Sequence, residues 1–160
     1  ATHFSQAHDP TGLYCEANIF RYRPCRGVLL RATTHTELVN ICQVALAART
    51  CGVPLTLSVP PAAPAAWQHL AEAGAVEVII EDEMLLVTRL QEGGSSAYER
   101  LRTPGSPSAV LRRAAQFANL AVLDGPVLAN GRLELRTFLR EQAISQTLHR
   151  YGNILPTPQA

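Results

Sequence analysis

The chain has 160 residues, one domain's worth, and a compact fold of that length can remove roughly 70% of its unfolded surface from water. Fourteen basic residues, every one an arginine, stand against thirteen acidic ones, and the net charge of +1 supplies no long-range field to gather nucleic acid, anionic lipid or acidic substrates. The lack of lysine excludes Schiff-base chemistry and a phosphate-loop lysine, and 47% apolar with 17% charged content excludes a disordered chain.

Taken in chain order, short apolar runs alternate with helical stretches. Gly27 to Arg31 (GVLLR) has strand length and follows a turn at Pro24. Thr34 or Thr36 is expected to cap a helix whose apolar face carries Leu38, Ile41, Cys42, Ala45, Leu46 and Ala48, with Gly52 and Pro54 ending it. Leu55 to Val59 is the second strand. Pro64 opens a helix lined by Trp67, Leu70 and Ala71 that stops at Gly74, and Val76 to Ile80 is the third strand. The acidic run Glu81, Asp82 and Glu83 reads as a solvated helix start leading into Met84 to Gln91.

After the Gly93–Ser96 break, Tyr98 to Arg102 alternates like a fourth strand. Ser106 as cap and Pro107 at the first position begin a helix through Val110, Leu111, Ala114, Ala115 and Phe117, and Ala118 to Leu123 holds the fifth strand. Parallel strands need crossovers, so this rhythm predicts an α/β fold: a Rossmann-like, mostly parallel sheet with helices on both faces. The end of the chain breaks the rhythm. Asn130 and Gly131 between apolar pairs signal a hairpin, and Arg136 to Leu148 fits either a helix or a strand, with an extended ribbon preferred. A ribbon of that kind has no evident strand to pair with in the sheet, which predicts a C-terminal β-hairpin or flap reaching toward a partner. The expected organisation is a lead-in segment over 1–26, a Rossmann-like domain over 27–125, and a flap with tail over 126–160.

The longest uncharged apolar stretch, Val53 to Trp67, contains four prolines, too many for a membrane-spanning helix. The first ten residues show neither a charged head nor an apolar run of the secretory type, and a cytoplasmic location is expected. Cys15, Cys25, Cys42 and Cys51 follow one another at intervals of 10, 17 and 9 residues, which matches no zinc or redox spacing and predicts reduced thiols. Cys42 falls on the apolar helix face as a core residue, whereas Cys15, Cys25 and Cys51 are expected to meet solvent without a helix N-terminus to favour thiolate.

The turn after the first strand, Ala32, Thr33, Thr34 and His35, contains no glycine, so its backbone cannot approach a pyrophosphate as a G-x-G-x-x-G loop does. Its threonines either cap the helix or hold a weak anion. The five histidines are scattered, no metal site is expected, and no serine elbow or carboxylate pair forms a catalytic constellation. By itself the chain reads as non-catalytic, binding no cofactor of its own. A C-terminal cluster does stand out: Arg136, Phe138, Leu139, Arg140, Glu141, Ile144, Arg150 and Tyr151 combine guanidinium groups, aromatic rings and apolar side chains as interfaces do. The alternative is a solvated edge strand blunted by charge.

The opening DPTGLYCEANIFRYRPCRGVLL (Asp9 to Leu30) and the closing DGPVLANGRLELRTFLREQAISQTLHRYGNILP (Asp124 to Pro156) resemble the two ends of the C-terminal region of bifunctional proline utilization A proteins. Those proteins join a proline dehydrogenase to an L-glutamate γ-semialdehyde dehydrogenase. The similarity extends over nearly the whole chain; Asn18 to Pro24 and Leu139 to Asn153 are its most specific parts, and the middle matches only in pattern. The resemblance implies an aldehyde dehydrogenase superfamily-like Rossmann domain with a β-flap over Leu133 to Leu148. It also implies a non-catalytic role: covering the passage between the two active sites of a proline-to-glutamate enzyme and supporting its aldehyde dehydrogenase domain. That domain, in the same polypeptide, is the implied partner, with a homodimer as a further assembly; NAD and FAD belong to the enzyme domains, which this sequence lacks. No catalytic residue carries over. Two rival readings are a regulatory domain binding a small ligand or nucleotide at the carboxyl edge of the sheet, and an enzyme using Cys51 or Cys25.

Overall fold

The computed structural model describes residues 2–67, 70, 76–150 and 153–154. Its strands are β1 (Glu16–Pro24), β2 (Val28–Arg31), β3 (Leu55–Val59), β4 (Glu77–Ile80), β5 (Arg100–Arg102), β6 (Ala121–Leu123), β7 (Leu139–Thr147), β8 (His149–Arg150) and β9 (Asn153–Ile154). Its helices are α1 (Leu38–Cys51), α2 (Glu83–Gln91), α3 (Ala109–Phe117) and α4 (Gly131–Leu135). Two units separate: Pro24–Phe138, and a second made of Ala1–Arg23 with Leu139–Ala160.

In the first unit, five strands run parallel in the order β4-β3-β2-β5-β6. The sequence-based expectation of a Rossmann-like α/β sheet holds. All four side chains of β2 are buried, as a central parallel strand requires, and its alternation serves both faces. Val28 and Leu30 join the core under α1, whereas Leu29 joins Leu101, Leu86, Leu90 and Leu111 under α2 and α3. Each fully buried leucine contributes about 1.5–3 kcal/mol of transfer free energy.

Helix α1 ends at Gly52, as expected: its φ of 66° is left-handed, and its N–H donates to the carbonyls of Ala48 and Arg49. Its other features differ from expectation. Neither Thr34 nor Thr36 caps it; the N-cap is Glu37, with no side-chain bond, because the Thr36 hydroxyl is occupied accepting the Thr33 N–H at 2.9 Å. The buried stripe is Ile41, Val44, Ala47 and Ala48, so Cys42 and Leu46 turn to solvent while Cys25 is buried in the core. The cysteine expectations for positions 25 and 42 are thus reversed. An alanine-rich helix offers several faces of similar hydropathy, and the sheet selects the one bearing β-branched Ile41 and Val44.

Asp82 caps α2 by accepting the Leu85 N–H at 2.8 Å, in line with the acidic run. Glu81, however, is buried and bound by Arg89 rather than solvated. Helix α3 is capped by Ser108, not Ser106. Ser108 lies three residues before Leu111, whose N–H it accepts at 3.0 Å, and Pro107 stays outside the helix. Between Pro64 and Gly74, Ala65–Trp67 form one short turn and Leu70 is helical; Ala71 and Gly74 lie outside the described residues.

The expected hairpin at Asn130 and Gly131 is a helix start. Asn130 has φ −77° and accepts the Arg132 N–H as N-cap of α4, and Gly131 is not among the glycines with positive φ that a hairpin of this type would need. Helix α4 packs on α1, and Phe138 follows it into the same core.

In the second unit the ribbon does find a partner within the chain: β7 pairs with β1. Arg21 Nε donates to Gln142 Oε1 at 2.7 Å, the Ser145 hydroxyl to Asn18 Oδ1, and the Leu148 N–H to the Cys15 carbonyl at 2.8 Å. One strand advances as the other retreats, so the pairing is antiparallel. Sequence reading missed it because the two segments lie 121 residues apart. Strands β8 and β9 form a short antiparallel pair of their own.

Candidate functional site

The order of the sheet creates a switch point between β2 and β5. The chain leaves β2 for α1 on one face and leaves β5 for α3 on the other, so the two connections part at the carboxyl ends of adjacent strands. A crevice of about 330 Å³ opens there, walled by Thr33, Thr34 and Thr36 on one side and by the Thr103–Ser108 loop on the other, with Arg31, Pro60, Glu83 and Leu111 completing it.

Both central strands end in a buried arginine, Arg31 and Arg102. Their surroundings differ. Arg102 meets Glu134 and donates to the carbonyls of Thr103, Leu123 and Pro126 at 2.9–3.2 Å and to that of Gly125. Arg31 is 6% exposed, and among the described residues its Nη1 alone is engaged, donating to Ser58 Oγ and to the Glu81 carbonyl, each at 2.9 Å. Among the described residues no carboxylate forms an ion pair with it. Glu81 gives both oxygens to Arg89 at 3.0 and 2.6 Å, Asp82 caps α2, and Glu83 Oε1 accepts the Ser108 hydroxyl at 2.6 Å. Burial lowers the affinity of Arg31 for its proton, the negative charges of Glu81, Glu83 and Asp82 oppose that, and the bond to Glu81 strengthens the hold of Arg89 on its own.

Arg31 was legible in the sequence only as the last letter of an apolar strand. The signal that could have found it is the repetition of arginine at the ends of two strands, GVLLR and ERLR.

The residues of the C-terminal cluster are spread over several elements. Arg136 is exposed in a short turn, Arg136–Phe138, before the ribbon. Phe138 is wholly buried in the core of the sheet unit, so it presents no surface, a correction to its reading as a contact residue. Leu139 is buried at the start of β7, Arg140 and Glu141 are exposed along it, and Ile144 is half-buried. Arg150 lies in β8, and Tyr151 falls outside the described residues.

Burial first, and then the nearby Cys25, push the Cys51 thiol up, away from the thiolate form a nucleophile needs. Among the described residues no group of three metal-ligating side chains comes together. His3 and His8 do stack, with ring centroids 4.9 Å apart. The turn from β2 to α1 carries Thr33, Thr34 and Thr36, and the Thr33 N–H is taken up by the Thr36 hydroxyl. No helix among the described residues is long and apolar enough to cross a membrane.

No family model matches the sequence, and no curated protein matches it either. Solved structures do. A succinate-semialdehyde dehydrogenase from Burkholderia pseudomallei aligns with a TM-score of 0.53 at 19% identity, over 74% of this chain and 26% of that one. A 3,6-anhydro-L-galactose dehydrogenase, determined in complex with NAP, aligns with a TM-score of 0.52 at 16% identity, over 73% of this chain and 26% of its own. The chain therefore has an aldehyde dehydrogenase-like fold and spans about a quarter of the length of these enzymes.

Proposed function

We propose that the chain is a non-catalytic module of a bifunctional proline-to-glutamate enzyme, docking on the aldehyde dehydrogenase domain of the same polypeptide and covering the cavity through which the intermediate passes. One observation carries this reading. The segments most specific to the proline utilization A resemblance, Asn18–Pro24 and Leu139–Asn153, are far apart in sequence, yet β1 and β7 within them are hydrogen-bonded to each other. A likeness that is most specific in two distant stretches gains weight when those stretches form one ribbon. The ribbon is nine residues long on each strand and exposes Arg140 and Glu141, side chains suited to directed contacts at a protein surface. NAD and FAD chemistry belongs, in this reading, to the enzyme domains and not to the module.

The test is made in the full-length enzyme. Residues 139–148 are replaced by a flexible linker of equal length, which leaves Glu134 and Phe138 in place. Coupled turnover from proline to glutamate is then followed beside the dehydrogenase activity on exogenous semialdehyde. The expected result is a lag before glutamate appears and escape of the intermediate into solution. Coupling without a lag, together with unchanged dehydrogenase activity, would remove the proposal.

A further inference from the structure

We propose that the crevice at the carboxyl ends of β2 and β5 is an oxyanion-binding site, in which Arg31 receives the carboxylate or phosphoryl group of a small metabolite.

The argument starts from Arg31 itself. A guanidinium offers five N–H donors, is charged at every ordinary pH, and is costly to bury without a counter-charge. The residue is only 6% exposed, yet among the described residues Nη1 alone has protein acceptors. No buried side-chain nitrogen or oxygen among the described residues lacks a partner. The Nε and Nη2 groups are therefore not sealed from solvent, and Arg31 is one of the residues that line the crevice. Arg102, one strand away, shows what this sheet does with an arginine required only for structure: it supplies a carboxylate and four carbonyls.

The three acidic side chains of the β4–α2 turn act on Arg31 only through their charge, since each gives its hydrogen bonds to another group: Glu81 to Arg89, Asp82 to the Leu85 N–H and Glu83 to Ser108. The two walls supply hydroxyl donors at Thr34 and Ser106, and the amino end of α3 adds its favourable dipole. Glu83, on the rim, disfavours a second anionic group beside it and suits a hydroxyl or amine on the same ligand. A volume of about 330 Å³ is at the small end of ligand sites, which run from about 300 to 1,000 Å³, and fits a small metabolite better than a dinucleotide. Nothing in this inference rests on the docking reading.

The test is a titration of the full 160-residue chain, isotopically labelled, with inorganic phosphate and separately with glutarate, followed by amide chemical shifts. Saturable shifts are expected at Thr33, Thr34, Gly105 and Ser106. Arg31→Gln weakens them about tenfold, the effect of losing a charge-assisted hydrogen bond, while exposed Arg132→Gln leaves them unchanged. Because Arg31 also braces Ser58 and Glu81, a second variant places the test at an exposed position: Ser106→Glu sets a repelling charge at the mouth and weakens binding by a similar factor. The tighter of the two probes tells a phosphorylated metabolite from a carboxylate. Non-saturable shifts for both probes, or affinity retained in Ser106→Glu and in a folded Arg31→Gln, would overturn the site.

Discussion

Arg102 and Glu134 form an ion pair from which water is almost wholly excluded: Nε lies 3.3 Å from Oε1, and the two side chains are 3% and 2% exposed. The second carboxylate oxygen accepts the Leu128 N–H at 3.0 Å, so one acidic residue fastens both α4 and the segment before it to the end of β5. A short helix of five residues has little stability of its own, and this pair with the packing on α1 holds it in place.

Glu134→Ala leaves Arg102 charged and buried beside carbonyl groups alone. A loss of about 3–5 kcal/mol is expected in urea unfolding. Replacing the pair together, Arg102→Met with Glu134→Leu, costs less than Glu134→Ala alone, since no uncompensated charge remains; a double variant as unstable as the single one would contradict the assignment.

Gly27 enters β2 where an added Cβ would run into the Ala97 carbonyl oxygen, a backbone atom that cannot swing aside. Gly27→Ala should destabilise by about 1–3 kcal/mol, the ordinary cost of overpacking. Gly105, whose Cβ would meet nothing, is the control: thermal unfolding of Gly105→Ala should match the parent far more closely.

The Asp9 carboxylate accepts the Thr11 hydroxyl and the N–H groups of Thr11, Gly12 and Asn18, and these bonds bring its pKa to about 2 from 3.8. A depressed carboxylate stabilises the folded state fully above its unfolded value and loses that contribution as pH falls from about 4 through about 2. Carbon-detected titration of Asp9 should find its midpoint near the lower end, with the Gly12 and Asn18 amides shifting in step. A midpoint near 4 would mean that the turn is not formed.

Thiol labelling separates the four cysteines by position. Cys15 and Cys42 are exposed and react first, Cys51 is slower, and Cys25 reacts only on unfolding. Burial raises the Cys51 thiol, so its labelling rate climbs at higher pH in the folded chain than in the chain unfolded in urea. The same shift means that the folded state loses stability as pH rises past the ordinary thiol range, where the unfolded chain ionises first. Equal pH profiles for Cys51 in the folded and the unfolded chain would contradict this shift.

Most strands of the sheet were readable as apolar runs flanked by turn formers, as at Leu55–Val59 between Pro54 and Pro60, and β5 by the alternation of Tyr98 to Arg102. Gly52 was readable because only a left-handed residue closes α1 there. What escaped depended on partners distant in sequence. Asn130 and Gly131 suit a hairpin or a helix start equally, and Glu134 reaching Arg102 decides between them. The burial of Cys25 follows from the Phe138 backbone beside it, 113 positions later, whose carbonyl accepts the Cys25 N–H at 2.9 Å. Arg31 escaped because a guanidinium in a central strand acquires meaning only when the strands around it, and the fate of each nearby carboxylate, are known.

The bond between Cys25 and Phe138 also sets an order of folding. Left to random encounter, Arg21 must find Gln142 across 121 residues of loose chain, at an entropic cost that rises with the logarithm of the loop. Once the sheet unit has formed, its entry and exit are tethered within one hydrogen bond, and the same encounter becomes the zipping of two adjacent threads. The ribbon is therefore the last part to assemble and the first to open, and its hydrogen-bonded amides should exchange with solvent well before those of β2 and β3.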